Sequence, residues 1–65
     1  MKIIAHTPRG TFEGVNKEYN EEDYFSVLNL LSQIDNLPCL TFETDTGDVC
    51  FPKEMLQQSV FVIEK

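Results

Sequence analysis

With a single histidine, His6, the chain cannot pair imidazoles around a zinc ion, and its two cysteines, Cys39 and Cys50, stand in no C-x-x-C spacing. Two cysteines are also too few for a disulfide framework. Only five Lys and Arg oppose eleven Asp and Glu, a net charge of −6. That balance disfavours direct nucleic-acid binding, which needs cationic side chains to neutralise phosphates. No apolar run approaches the ~18 residues of a membrane span. Met1-Lys2-Ile3-Ile4-Ala5-His6 is too short an apolar stretch for a signal peptide. The expectation is a protein made and kept in a cytoplasm, with no membrane partner. Tryptophan is absent, and no internal repeat, linker or low-complexity segment interrupts the sequence.

What is present is enough for one small domain, residues 1–65. A hydrophobic content of 42% is ordinary for a folded protein and too high for a disordered one. A chain this short hides only ~60% of the surface of its unfolded form, so its own core is marginal. Domains of this size usually gain stability from disulfides, a metal or a partner subunit.

Local patterns predict an order β-β-α-β-β-β. Lys2–Thr7 reads as a first strand, Pro8-Arg9-Gly10 as a turn, and Thr11–Val15 as a second strand with Gly14 marking a bulge. Asn20 is a good helix N-cap, with Glu21, Glu22 and Asp23 in the first turn and Tyr19 and Tyr24 placed as a hydrophobic staple. Tyr24, Val27, Leu28, Leu31 and Ile34 recur at helical spacing. Asp35-Asn36 ends this helix, with Asn36 suited to a left-handed conformation, and Pro38 blocks continuation.

The next stretch, Leu40 to Pro52, alternates apolar and polar residues on both sides of Asp45-Thr46-Gly47-Asp48. This predicts a hairpin with a four-residue loop, Gly47 absorbing a positive φ. In that register Thr44 faces Val49, Glu43 faces Cys50 and Phe42 faces Phe51. Cys39 then lies about four residues from the partner of Cys50, roughly 13 Å at ~3.3 Å per residue. That is too far for a disulfide, so two free thiols are expected. Pro52–Leu56 reads as a short helical turn and Ser59–Ile63 as a last strand.

The expected fold is α+β: a curled antiparallel sheet of about five strands with one amphipathic helix on one face. Val60-Phe61-Val62-Ile63 is apolar on both faces, and Ile3-Ile4-Ala5 nearly so. One helix covers only one face of a sheet. Either the sheet curls on itself, or a second copy or another protein covers the other side.

Asp45-Thr46-Gly47 is the tripeptide of aspartic proteases, where two such carboxylates share a proton. In those enzymes apolar residues precede the tripeptide in a buried loop, whereas Glu43-Thr44 precede it here. Turn chemistry accounts for all three residues. Asp45 and Asp48 fall short of the six to eight oxygens that calcium takes. His6 reads as a strand-end residue and the cysteines as small buried hydrophobes, with nothing local to join them as a nucleophile pair. No catalytic residue, metal or cofactor is expected, and the protein reads as a non-enzyme.

Two features point to binding. Glu18, Glu21, Glu22 and Asp23 form the densest charge cluster. It is a solvated helix N-terminus or a carboxylate patch offered to a basic partner, in the second case imitating nucleic-acid phosphates to block a DNA- or RNA-binding enzyme. Phe25 lies off the apolar stripe, either as an exposed anchor for a protein partner or packed against the first hairpin.

The whole pattern resembles small bacteriophage proteins of unknown function. The resemblance rests on Met1-Lys2-Ile3-Ile4, Gly10-Thr11-Phe12-Glu13-Gly14, Tyr19-Asn20-Glu21-Glu22-Asp23-Tyr24, Asp45 to Glu54, and Ser59-Val60-Phe61-Val62-Ile63. It implies a viral source, with a cyanophage as the expected one, and carries over no site. In size and charge the chain is also similar to acidic phage inhibitors of host uracil-DNA glycosylase. The resulting expectation is an accessory protein that binds a host or phage protein, or itself as a homodimer.

Overall fold

The computed structural model describes residues 1–65. Five antiparallel strands form two sheets. Strands β1 (Lys2–Thr7), β2 (Gly10–Glu13) and β5 (Val60–Glu64) make a three-stranded sheet in the order β2-β1-β5, and β3 (Cys39–Thr44) with β4 (Gly47–Pro52) makes a hairpin sheet. Helix α1 (Glu21–Ser32) links β2 to β3, and the short α2 (Lys53–Gln57) links β4 to β5. The expected single curled sheet is therefore two sheets.

The division occurs at Gly14. Its N–H donates to the Ile3 carbonyl (2.7 Å), while the next residue, Val15, donates to the Glu43 carbonyl (3.0 Å) and Gly14 bridges to Thr44. The chain thus leaves one sheet and touches the other within two residues. A Cβ at Gly14 would lie 3.1 Å from the Ile3 oxygen and 3.3 Å from the Phe42 ring, so close backbone approach explains the glycine. The bulge expected there is this corner.

Both hairpins close by the same device. Thr7 Oγ donates to the Gly10 carbonyl (2.8 Å) and accepts from Arg9 N–H (3.1 Å). Thr44 Oγ donates to the Gly47 carbonyl (2.7 Å) and accepts from Thr46 N–H (3.4 Å). Each glycine has positive φ, 123° at Gly10 and 134° at Gly47. The second loop is consequently two residues long, Asp45-Thr46, rather than four. Thr44 faces Gly47, Phe42 faces Val49 and Thr41 faces Cys50, two residues out of step with the expected register. The correction keeps Phe42, Val49 and Phe51 on one face, because side chains alternate with period two. An added Cβ at Gly47 meets no atom within 4 Å, so Gly47→Ala tests backbone strain alone. Chemical denaturation should show a loss of about 1–3 kcal/mol; an unchanged midpoint would remove the strain from the turn.

Only Ala5, Leu40, Phe51 and Leu56 are buried. Phe51 joins the two sheets. Its ring stacks on Phe42 (centroids 5.3 Å) and takes edge contacts with Phe12 (5.6 Å) and Phe61 (5.8 Å). Leu56 seals this cluster from α2.

Helix α1 contributes less than its sequence promises. Asn20 caps it as expected, Oδ1 accepting from the N–H groups of Glu22 (2.8 Å) and Asp23 (3.3 Å), and the Tyr19 and Tyr24 rings lie 6.0 Å apart. Yet none of its residues is buried, and Leu31 is its one member at the margin of the core. The expected covering helix is thus a partial one, and α2 closes the core. The α-helix also stops at Ser32. Ile34–Asn36 form a 3-10 turn through Asn36 N–H to Gln33 (2.9 Å) and Leu37 N–H to Ile34 (3.2 Å). This tightening ends the helix without a left-handed residue, and no non-glycine residue has positive φ. No helix is long and apolar enough to cross a membrane.

Candidate interaction surface

Strand alternation divides the three-stranded sheet cleanly. Ile3, Ala5, Phe12, Phe61 and Ile63 turn inward. Lys2, Ile4, His6, Thr11, Glu13, Val60, Val62 and Glu64 share the outer face, with Ile4 opposite Val62 and His6 opposite Val60. Nothing packs on this outer face. Val60 is 64% exposed and Val62 41%. The apolar centre is rimmed by charge: Lys2 Nζ donates to Glu13 (2.7 Å) and lies 3.9 Å from Glu64. The hydrogen bond and the ammonium charge of Lys2 lower the Glu13 pKa, and the same hydrogen bond and the carboxylate charge raise that of Lys2.

Glu13 adds stability above the unfolded carboxylate range, and this is lost as pH falls through its lowered folded value. Lys2 adds stability below the ordinary lysine range, lost as pH rises through its raised value. An NMR titration should place the Glu13 midpoint below the usual carboxylate value, and Lys2→Met should return it. An ordinary midpoint in the unmodified protein would mean that the pair does not form in solution.

β2 and β5 are the edge strands of this sheet, and the groups that β5 leaves open can be assigned from the hydrogen-bond phase. The Gly14 N–H bond to Ile3 makes the odd-numbered residues of β1 face β2, so the even-numbered ones face β5. With Lys2, Ile4 and His6 opposite Glu64, Val62 and Val60, those β5 residues spend their backbone groups on β1. The N–H and C=O groups of Phe61 and Ile63 point to the open edge, and no hydrogen bond reaches them there. Beside that edge, on the inner side, Tyr24, Leu28, Leu31 and Ser32 of α1 form a groove of about 400 Å³ with Phe61 and Ile63. Leu28 is 43% exposed, and Phe25, beyond it on the helix, is 60% exposed. Phe25 touches the Tyr24 ring (5.4 Å) and stands out in solvent. The Lys65 ammonium lies over the Tyr24 ring (4.5 Å), which places the start of α1 near the end of β5.

Glu18, Glu21, Glu22 and Asp23 are all exposed, as the sequence suggests, and Asn20 uses the helix start for its own cap. The structure does not gather the other carboxylates into a row with them. Glu13 and Glu64 flank Lys2 on the outer sheet face, while Glu43 and Asp48 pair across the hairpin. Asp23 reaches a second cleft of about 300 Å³, between α1 and the start of β1, that also contains Ile3, Val27 and Phe42.

The residues considered for chemistry lie apart. His6 is on the outer face of the three-stranded sheet, its Nδ1 3.3 Å from Thr11 Oγ. Cys39 and Cys50 are free thiols, as expected, but they are exposed on the outer face of the hairpin and not buried. Cys50 faces Thr41, which makes the cysteines diagonal neighbours. Such neighbours lie about 7–8 Å apart, still beyond ordinary disulfide reach. Asp45 sits in the exposed two-residue turn. Sequence reasoning missed the edge of β5, because edge position depends on strand order. Comparison with known proteins finds no family model, no curated protein and no solved structure that matches this chain.

Proposed function

We propose that the protein is a small acidic accessory protein of bacteriophage type that works in the host cytoplasm by binding a protein, without catalysing a reaction. The observation that carries this reading is the apolar surface around β5. Val60 and Val62, 64% and 41% exposed, lie along the unpaired edge strand β5, and α1 beside it exposes Leu28 (43%) and Phe25 (60%). Large apolar side chains exposed together mark interaction surfaces on small domains. The partner is a second copy or a host or phage protein.

Phe25→Asp and Val60→Asp each place a charge on this surface without touching the buried cluster. Both variants should fold as the parent does, and both should lose binding, read by mass in solution and by capture of a purified partner. Binding that survives both changes but fails on charge reversal at Glu21 and Glu22, toward a nucleic-acid-binding enzyme, would replace this reading with the nucleic-acid mimic.

A further inference from the structure

We infer that the partner seated on β5 is a second copy of this chain, its own β5 added antiparallel across a two-fold axis at Val62. The inference rests on the protein-binding reading and names its occupant. Four observations converge on it.

The open edge offers the backbone groups of Phe61 and Ile63 and needs an extended strand to satisfy them. A two-fold axis through Val62 sets Phe61 against Ile63 of the second copy and the reverse. Each pair exchanges two backbone hydrogen bonds, and all four groups of each edge are used. The match is self-complementary, as a two-fold interface requires.

The same register brings Phe61 and Ile63 of the second copy to the inner side of the joined sheet. That is where the 400 Å³ groove lies between β5 and α1. Two apolar side chains therefore meet a groove lined mostly by apolar ones.

Charge selects the antiparallel direction. Each chain carries −6, and its acidic helix start lies near the end of β5, where Lys65 covers Tyr24. Antiparallel pairing puts the two acidic ends at opposite ends of the interface, and Glu64 faces Val60 rather than another carboxylate. Parallel pairing would set the acidic ends side by side.

The surface area agrees. The chain exposes 4590 Å², against about 4,250 Å² expected for a monomer of its mass. A specific interface needs about 500 Å² per partner. The large apolar side chains left exposed on this side are Val60 (64%) and Val62 (41%) on β5 and Phe25 (60%) and Leu28 (43%) on α1.

Sedimentation equilibrium of the purified chain, run across concentration and salt, tests this together with engineered cross-links. The expected result is a dimer that dissociates on dilution and strengthens with added salt, because salt screens the repulsion between like-charged copies. In a Cys39→Ser, Cys50→Ser background, Val62→Cys should oxidise to a covalent dimer. Its two Cα atoms would lie about 4.5 Å apart as a non-hydrogen-bonded pair. Val60→Cys should form no covalent dimer, since each Val60 faces Glu64 of the second copy. Val62→Lys should be a folded monomer. A monomeric mass up to the solubility limit, or cross-linking at position 60 as fast as at 62, would overturn the inference. If that monomer still bound another protein through Phe25 and Val60, only the identity of the partner would fall. If it bound nothing, the protein-binding reading would fall with it.

Discussion

Phe51→Ala should abolish cooperative folding. Phe51 is 2% exposed and is the one ring in contact with Phe12, Phe42 and Phe61 together. Removing a buried phenylalanine side chain costs about 3–5 kcal/mol. A single core in a domain this small supplies only about 3–5 kcal/mol in all. The loss is therefore the size of the whole stability. The sheets share few other links: the backbone contacts near Gly14 are the only hydrogen bonds between them. Circular dichroism should show no thermal transition in Phe51→Ala, while Phe51→Leu, which keeps most of the volume, should melt cooperatively at a lower temperature. A cooperative Phe51→Ala melt close to that of the parent would move the centre of the fold elsewhere.

The second large effect separates the two helices. Leu56→Ala should cost about 2–5 kcal/mol, the range for truncating a buried leucine. Leu28→Ala, on the longer helix, should change stability by no more than about 0.5 kcal/mol at low concentration, as surface substitutions do. Leu56 is 2% exposed and belongs to the buried cluster, whereas α1 buries no residue. Five-residue helices do not form alone. Helix α2 exists because Leu56 docks on the sheets and Ser59 Oγ donates to the Met55 carbonyl (2.6 Å). Denaturant titration of both variants at one concentration gives the comparison. Equal losses would mean that α1 closes the core after all.

These two helices also show where the sequence was legible. Helix α1 carries its signals locally: an N-cap, acidic residues in the first turn, a staple and an apolar stripe. All of these are visible in order along the chain, and α1 starts where they predict. How firmly a helix packs is decided by elements distant in sequence, so the stripe did not reveal that α1 is only half covered. The turn register failed for a related reason. Asp45 to Asp48 looks like a four-residue loop, but Thr44 closes a two-residue one with its side chain. The same spacing occurs in Thr7-Pro8-Arg9-Gly10, and the repeated Thr-x-x-Gly was the signal available to find it. The two-residue shift changed no side chain's face, so the outward position of the cysteines follows from alternation alone: Cys39 and Cys50 lie on the hairpin face opposite Phe51. The surplus of apolar surface on β5 was legible from Val60 to Ile63. Its location on an open edge was not, since that requires knowing that β5 pairs with β1 alone.

That edge is the most exposed point of the functional reading, and amide hydrogen exchange probes it one residue at a time. In an isolated chain the amides of Val60 and Val62 are held by β1, while those of Phe61 and Ile63 face solvent. Two-fold pairing through β5 predicts that protection at Phe61 and Ile63 rises with protein concentration and is lost again in Val62→Lys. Protection at Val62 with unprotected Phe61 and Ile63 at every concentration would contradict it.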